Sequence, residues 1–382
     1  MLDQIRAALD GRGRVVVSAP PGAGKTTVIP LALLDCAWRG DRSIVVLEPR
    51  RLAARAAARR MADLAGGEVG GLVGYQTRDE RRIGPETRVE VLTEGVLTRR
   101  LQRDPELPAV AAVLFDEVHE RNLTTDLGLA LTLDVAATLR PDLRIGAMSA
   151  TAANAEFARL LDAPVVASDG RMHPVDIRWL PRARHDRSGV DAAVASAVLL
   201  ALREQPGDVL AFLPGIGEIL RTRDRLIGAV PPDVDVRPLA GALALDEQDA
   251  ALRPSPPGRR RVVLATDIAE TSLTVEGVRT VVDGGLARAP RFDSGTGMTR
   301  LTTISISRDS ADQRAGRAGG GSMNERSSGR PPQAASSRAN PLRSTSSSSA
   351  PSTATVASPR SGAGWWTSRS TPGWPASSPG PR

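Results

Sequence analysis

The chain has 382 residues, of which 41% are hydrophobic and 3% aromatic, and its formal net charge is +7. Its one cysteine, Cys36, excludes an internal disulfide and a metal site built from cysteines, which fits a reducing compartment. The start of the sequence does not resemble a secretory signal and no apolar run approaches membrane-spanning length, so we expect a cytoplasmic protein.

Short apolar strands alternate with helices through the first half of the chain. This alternation predicts a parallel sheet that is covered by helices on both faces. Ligands of such sheets bind beyond the carboxyl ends of the strands, so we looked for functional residues there. We expect strands at 14–18, 43–47, 88–92, 110–115 and 144–148, and helices at 26–38, 52–65, 94–103, 122–139 and 153–161.

The first strand leads into a glycine-rich segment with the only lysine of the chain, beside 49 arginines elsewhere. The segment matches the phosphate-binding pattern G-x-x-x-x-G-K-[ST], except that Ala19 stands at the first glycine position. In such a loop the compact ammonium of a lysine, on its flexible stem, can reach between phosphate oxygens as a point charge. The start of the next helix would also attract an anion. We therefore predict a nucleotide site with Gly22, Ala23, Gly24, Lys25, Thr26 and Thr27 as cofactor-binding residues.

A second group of polar residues follows the apolar strand 110–115. Asp116 can hold Mg²⁺ together with Thr26, and Glu117 can polarise the attacking water, so these three are our candidate metal ligands. An Asp-Glu pair alone is usually a solvated strand end, but its combination with the lysine loop indicates an ATP and Mg²⁺ site. His119 alone would most often be structural; here we expect it to couple this site to a second domain.

The second half of the chain repeats the alternation after a segment rich in proline and arginine. We divide the chain into an ATP-binding domain at 1–165, a connection at 166–188 and a second domain at 189–320. We expect helices at 190–204 and 216–228, strands at 208–213, 233–239, 260–265 and 278–283, and a hairpin from Arg291 to Ile306.

The last 62 residues, 321–382, have a different composition. They contain 17 Ser and 9 Pro, and their seven Arg and one Glu account for +6 of the net charge. The rest of the chain is therefore nearly neutral, and any nucleic-acid site within it has to be local. Such a tail predicts disorder. It is either an ordinary low-complexity tail or the product of a reading-frame error, and we favour the frame error because the change is abrupt.

Several short motifs occur in a fixed order between residues 13 and 319. Together they resemble the DEAH/DExH-box RNA helicases of superfamily 2, most closely their bacterial HrpB-like branch. Besides the lysine loop, the motifs are DEVH at 116–119, EPRR at 48–51, TEG at 93–95, SAT at 149–151, FLPG at 212–215, ATDIAETSLT at 265–274 and QRAGRAG at 313–319.

The resemblance implies an α/β protein with two tandem RecA-like P-loop domains, each with a parallel sheet, followed by the disordered tail. ATP and Mg²⁺ would bind in the cleft between the domains, with Glu117, His119, Gln313 and Arg317 as catalytic residues. An arginine that reaches the transferring phosphoryl group is worth about 10³–10⁵ in rate. We also expect Arg60 and Arg314 at the nucleotide, although an exposed helix arginine is an equal alternative for Arg60.

The resemblance also implies that RNA is the partner and is held mainly by its backbone. DNA stays open as an alternative, because backbone contacts alone do not read the sugar. A hairpin at Arg291 to Ile306 would lie near the duplex junction. Expected nucleic-acid contacts are Arg50, Arg51, Thr93, Glu94, Gly95 and Thr266, and Ser149 and Thr151 are expected to couple hydrolysis to unwinding.

The sequence departs from the family in three respects. Gly320 stands where the family has a second arginine that faces the γ-phosphate, and Asp267 stands where many relatives have asparagine. The winged-helix, helical-bundle and OB-like modules that usually follow are not recognisable. We therefore expect an ATP-dependent RNA helicase that is impaired by C-terminal truncation. The alternatives are a nucleic-acid-stimulated NTPase that does not unwind, and a remnant that binds ATP or RNA without turnover.

Overall fold

The computed structural model describes residues 1–20, 23–150, 154–168, 175–180, 189–270, 273 and 275–319, and the backbone of 352–356. The chain folds into two α/β domains, each built on a sheet with helices on both faces, which confirms the expected fold class. In the described part of the chain, no helix is long and apolar enough to cross a membrane.

The first domain contains an eight-stranded sheet in the order β4-β3-β5-β2-β6-β7-β1-β8, in which only the β3–β4 pair is antiparallel. Its helices are α1 (Leu2–Gly11), α2 (Lys25–Ala32), α3 (Arg51–Leu64), α4 (Glu94–Arg103), α5 (Leu123–Thr138) and α6 (Asn154–Leu161). Its strands are β1 (Arg14–Ser18), β2 (Ser43–Glu48), β3 (Val73–Gln76), β4 (Arg81–Arg82), β5 (Val89–Thr93), β6 (Val110–Phe115), β7 (Arg144–Ser149) and β8 (Val165–Ala167).

Alternate residues of the central strands supply the two halves of this domain's core. Val15 and Val17 pack with α1, α2 and α3 on one face, whereas Val16 packs with α4 and α5 on the other. Both faces are covered, so the strands are apolar throughout rather than alternating with polar residues. The parallel strands all end at one edge of the sheet, and this brings together the motifs that follow them.

The second domain contains a six-stranded, all-parallel sheet in the order β11-β12-β10-β13-β16-β9 and a separate β14–β15 hairpin. Its helices are α7 (Val190–Glu204), α8 (Ile216–Leu226), α9 (Leu245–Leu252) and α10 (Arg308–Gly319). Its strands are β9 (Val175–Trp179), β10 (Asp208–Phe212), β11 (Val234–Leu239), β12 (Arg260–Ala265), β13 (Val278–Asp283), β14 (Leu286–Asp293), β15 (Met298–Ser305) and β16 (Ser352–Val356).

Strand β16 corrects our expectation for one short part of the 321–382 segment. We expected that whole segment to be disordered, but residues 352–356 form a strand that pairs in parallel with both β13 and β9. The parallel edges of those two strands have unpaired backbone groups that an extended segment can satisfy. The other residues of 321–382 lie outside the described residues.

Two elements begin or end elsewhere than expected. Helix α2 ends at Ala32 instead of continuing to 38, and the chain after it forms tighter turns, in which Leu34 N–H bonds Leu31 O at 3.2 Å. The hairpin starts at Leu286, five residues before the expected position, and pairs in regular antiparallel register to Ser305.

Helix α3 belongs to the first domain but also contacts the second. Its Leu52 and Ala53 are buried in a core cluster whose other members, such as Phe212 and Leu239, come from the second domain. The helix that follows the EPRR motif is therefore packed at the domain boundary.

Candidate nucleotide site at the domain boundary

The glycine-rich segment connects β1 to α2 at the edge of the first sheet. Gly24 has φ +77°, and a Cβ there would lie 3.1 Å from Val28 Cγ2, so this position requires glycine. Ala19, which replaces the first glycine of the pattern, is buried and donates its N–H to Ser149 O at 3.1 Å. Alanine therefore fits at that position. Gly22 lies outside the described residues.

Lys25 begins α2 and points into the site rather than to solvent. Its side chain is only 4% exposed, and its Nζ lies 3.3 Å from Glu117 Oε1. Thr26 donates its hydroxyl to Asp116 Oδ2, and Asp116 Oδ1 accepts the N–H of Glu117 at 2.8 Å. The structure thus brings together the four residues that the two sequence patterns indicated.

The donor set fits Mg²⁺ that is shared with phosphates. A hydroxyl of Thr26 and a carboxylate oxygen of Asp116 converge, and Mg²⁺ prefers oxygen ligands. Among the described residues no group of three or more His, Cys, Asp or Glu side chains could hold a metal alone. The site therefore suits an ion that also takes ligands from a nucleotide and water.

Glu117 has an unusual environment for a carboxylate. It follows β6 in a left-handed conformation with φ +51°, and its Oε2 is buried without a hydrogen-bond partner. Burial, assisted by the neighbouring Asp116 charge, raises its pKa to about 7, and Lys25 and Arg317 partly oppose this rise. A carboxylate with a pKa near neutrality can exchange a proton at physiological pH, as a general base must.

His119 connects both domains to the centre of the site. Its Nδ1 lies 3.4 Å from Glu117 Oε2 and from the N–H of Ala150, and its Nε2 lies 3.3 Å from Gln313 Nε2 of α10. Burial and the Lys25 charge lower its pKa, which favours the neutral ring.

Arg317, also on α10, forms the second domain's wall of the site. Its guanidinium donates to Glu270 O through Nε and Nη2, at 2.9 and 2.8 Å, and to Leu273 O through Nη1 at 2.9 Å. Burial lowers its pKa to about 10, so it stays protonated at neutral pH. It is close enough to Glu117 to lower the pKa of that carboxyl.

The partners of Arg314 in this structure lie within the second domain. We expected this residue at the nucleotide, but it is 1% exposed and ion-paired with Glu270 and Asp283, at 2.8 and 2.9 Å. Its guanidinium also lies 4.8 Å from the ring centre of Phe212. These partners hold Arg314 within the second domain in this structure, and its contact with a nucleotide stays a prediction.

Arg60 forms its ion pair away from the described residues of the lysine loop. Its guanidinium lies 3.2 Å from Glu276 of the second domain, and its side chain is 49% exposed. The alternative of an exposed, ion-paired helix arginine therefore describes this conformation better than a purine contact.

The two arginines of the EPRR motif differ in their contacts. Arg50 donates to the carbonyl of Asp267 in the second domain and lies 3.5 Å from Glu120. Arg51 is exposed and pairs with Asp79. Both are at the edge where the strands end, so they stay candidates for nucleic-acid contact.

The other expected nucleic-acid residues are not equally placed. Gly95 is exposed, whereas Thr93 and Glu94 are both buried, each 9% exposed, and Glu94 accepts the hydroxyl of Thr125. Burial raises the pKa of Glu94, which suits a carboxyl that joins α4 to α5 rather than one that meets a phosphate. The hydroxyl of Thr266 accepts Ile268 N–H at 3.4 Å. The contact of Glu94 with nucleic acid therefore stays a prediction.

The coupling motif is only partly described. Ser149 is buried at the end of β7, beside Ser18 of β1, and Thr151 lies outside the described residues. Thr27 donates its hydroxyl to Gly24 O at 3.4 Å and so supports the loop itself.

Sequence reasoning missed a group of charges at the domain boundary. Asp249 of α9 lies 3.2 Å from Arg55 and 2.9 Å from Arg59, both on α3. Arg55 also lies 3.6 Å from Glu80. An Arg- and Ala-rich helix resembles an ordinary solvated surface, and only the second domain's position shows that Arg55 is buried.

Two family models match the chain. The DEAD/DEAH box helicase model matches residues 3–160, and the helicase conserved C-terminal domain model matches residues 192–320. The first match contains the lysine loop and the Asp116-Glu117 pair, and the second contains Gln313 and Arg317. The boundaries that we expected from the sequence lie near these ranges.

The chain is also similar to characterised and solved proteins. It is 52% identical over 321 residues to the ATP-dependent RNA helicase HrpB of Escherichia coli K12, which is 84% of this chain and 39% of that protein. Two crystal structures of E. coli HrpB, described as a DEAH/RHA helicase and as a DExH-box NTPase, align with TM-scores of 0.77 and 0.69, both at 52% identity. Each alignment covers 83% of this chain, and 40% and 39% of those chains. The chain thus spans about two fifths of the length of this relative.

Proposed function

Since the chain belongs to the DEAD/DEAH box helicase family, we propose that it hydrolyses ATP with Mg²⁺ and couples hydrolysis to movement on RNA. The observation that carries the proposal is the arrangement of Lys25, Thr26, Asp116 and Glu117 opposite Arg317. One domain supplies the groups that bind phosphate and polarise water, and the other supplies a cation for the transferring phosphoryl group.

The first domain would bind the nucleotide. Backbone N–H groups at the start of α2 and the Lys25 ammonium would hold the phosphates, and Thr26 and Asp116 would hold Mg²⁺, which neutralises developing charge. Lys25 is paired with Glu117 in the structure, so its turn towards a phosphate frees Glu117 to accept a proton from water.

The second domain would complete the site on closure. Arg317 and Gln313 lie on α10, and Gln313 already lies beside His119 of the first domain. Because Arg317 comes from the opposite domain, its contact with a phosphoryl group is sensitive to the relative position of the domains. Binding and hydrolysis would therefore be linked to domain movement.

We propose RNA as the nucleic acid because the relative, 52% identical, is an ATP-dependent RNA helicase. Arg50, Arg51, Thr93, Gly95 and Thr266 would contact the backbone and would position the strand without reading its sequence. Most other arginines near this edge have carboxylate partners, which agrees with a local rather than an extended basic surface.

A second candidate function is RNA-stimulated ATP hydrolysis without strand separation. It is favoured by Gly320, which stands where the family has a second arginine at the phosphate. With Arg317 as the one arginine of this motif that faces the site in the described residues, turnover would be slow and RNA movement weak.

The test is ATP hydrolysis by the full chain, with and without single-stranded RNA, beside Glu117→Gln as the blank. The full chain is used because β16 forms part of the second sheet. RNA-stimulated turnover above the blank supports the proposal, and a strand-separation assay then distinguishes its two forms. No turnover above the blank, with MgATP bound, contradicts both.

A further inference from the structure

The guanidinium groups of two arginines on one face of α10 donate hydrogen bonds to the same residue of the second domain. Arg314 donates its Nε to the carboxylate of Glu270 at 2.8 Å. Arg317, three positions later, donates Nε and Nη2 to the backbone carbonyl of Glu270 at 2.9 and 2.8 Å. Residues three apart on a helix are neighbours, so one residue binds two successive arginines of the same helix face.

The carboxylate of Glu270 is bound to a cation that is itself held in place. Its partner Arg314 is itself held by Asp283 at 2.9 Å and lies against the ring of Phe212. A charged hydrogen bond between buried groups is stronger than a neutral one, and breaking it leaves an unpaired charge. The carboxylate of Glu270 is therefore fixed by the fold rather than by solvent.

The backbone of the same residue carries a weaker contact. The carbonyls of Glu270 and Leu273 are neutral acceptors, and together they bind the guanidinium of Arg317 by three of its N–H groups. A neutral acceptor can be exchanged for a phosphate, which bears full negative charge. Arg317 can thus leave its carbonyls, whereas Arg314 cannot leave its carboxylates.

We propose that Glu270 is a positioning residue for Arg317, and that Arg314 is the anchor that holds Glu270 in place. The proposal rests on the proposed function, because Arg317 acts on a phosphoryl group that ATP must supply. In this role Glu270 acts through Arg317 rather than on the phosphoryl group itself. It fixes the starting position of the guanidinium, so the arginine loses little freedom when it binds the phosphate.

The variant Glu270→Gln removes the charge but keeps the carbonyl that accepts Arg317. In the full chain, kcat for ATP hydrolysis should fall about ten- to hundredfold, the scale of a misplaced catalytic group, while KM for ATP stays within about twofold. The matched control is Asp208→Asn, which breaks a buried ion pair of the same domain. This pair joins Asp208 to Arg261, whose Nε lies 2.8 Å from Asp208 Oδ2, and it lies at the opposite edge of the sheet. It should lower stability without this fall in kcat.

A second measurement does not depend on turnover. The Nε–H of Arg317 can be followed by NMR hydrogen exchange in the full chain labelled on arginine, with Arg317→Lys identifying its signal. Glu270→Gln should speed this exchange at least about tenfold, because the hydrogen bond from Arg317 to an unanchored carbonyl opens more often. Asp208→Asn should leave the exchange unchanged.

The outcomes separate this inference from the proposed function. If the unchanged chain hydrolyses no ATP, the function fails, and the exchange measurement still decides on Glu270. If Glu270→Gln leaves the Arg317 exchange unchanged, or if Asp208→Asn lowers kcat equally, Glu270 has only a structural role and the inference is overturned.

Discussion

Lys25 and Arg314 are both buried cations, but their partners differ in kind. Lys25 contacts one carboxylate, Glu117, at 3.3 Å, and that carboxylate is itself a site residue. Arg314 contacts two carboxylates, at 2.8 and 2.9 Å, and an aromatic ring, all within its own domain. A cation with one replaceable partner can bind a ligand, whereas a cation with several fixed partners holds the fold.

The largest expected effect on stability comes from the removal of Arg314, the cation with several fixed partners. Arg314→Met leaves Glu270 and Asp283 buried without a counter-charge and should lower the free energy of unfolding by about 3–5 kcal/mol. Lys25→Met should cost clearly less, because Glu117 can take up a proton when its partner is lost. Urea unfolding at pH 7 measures both, and equal costs would contradict the distinction between the two cations.

The second effect concerns pH and the Glu117 carboxyl. Its pKa is about 7 in the folded chain and near the ordinary value of 4.5 when unfolded, so the folded state favours the protonated form. The contribution of Glu117 to the free energy of unfolding therefore falls by about 1.4 kcal/mol per pH unit as the pH rises from about 4.5 to 7. Above pH 7 this contribution is constant. The glutamine side chain in Glu117→Gln cannot ionise, so the free energy of unfolding of this variant lacks this fall.

The check is urea unfolding of both proteins at several pH values. The stability of Glu117→Gln relative to the unchanged chain should increase between pH 4.5 and 7. His119, whose pKa is lowered, contributes a slope of the opposite sign to the stability of the unchanged chain. A difference that is independent of pH would show that Glu117 is not buried as described.

A smaller effect is expected at the domain boundary. Asp249→Asn removes the charge that Arg55 and Arg59 share and should lower the free energy of unfolding by about 1.5 kcal/mol. Asp246→Asn is the control, since Asp246 lies on the same helix and is exposed. Thermal unfolding compares the two, and equal shifts would mean that the boundary ion pairs add nothing.

The smallest effect on stability is expected at Arg51. Its ion pair with Asp79 is exposed, so Arg51→Gln should change the free energy of unfolding by less than about 0.5 kcal/mol. If Arg51 contacts an RNA phosphate, its loss should also reduce the slope of binding against log salt by about one. Asp79→Asn frees the arginine and should increase RNA affinity; unchanged binding in both variants would exclude Arg51 from the interface.

The first domain's site could be predicted from the sequence because each of its residues directly follows a recognisable strand in the chain. Lys25 and Thr26 follow one strand, Asp116 and Glu117 follow another, and parallel strands bring their carboxyl ends together. Chain order and apolar strands were sufficient for this inference. The roles of these residues followed from the phosphate-binding pattern and from what phosphoryl transfer requires, and the family resemblance implies the same roles.

The roles of the second domain's arginines could not be separated in the same way. Arg314 and Arg317 lie in one motif, and the carboxylates that neutralise Arg314 come from residues 31 and 44 positions away. The sequence shows which residues are charged but not which charges meet across the fold. The hydrogen bond of Glu94 with Thr125 could not be predicted for the same reason, since Thr125 lies on another helix.

The most direct test of the account is the effect of Arg317→Ala on MgATP binding and on turnover in the full chain. The account predicts that turnover with RNA falls about 10³-fold or more, while MgATP affinity, which the first domain determines, changes by less than about threefold. Turnover that survives the substitution would contradict the claim that the second domain completes the site. A loss of MgATP binding in Arg317→Ala would contradict the assignment of MgATP binding to the first domain.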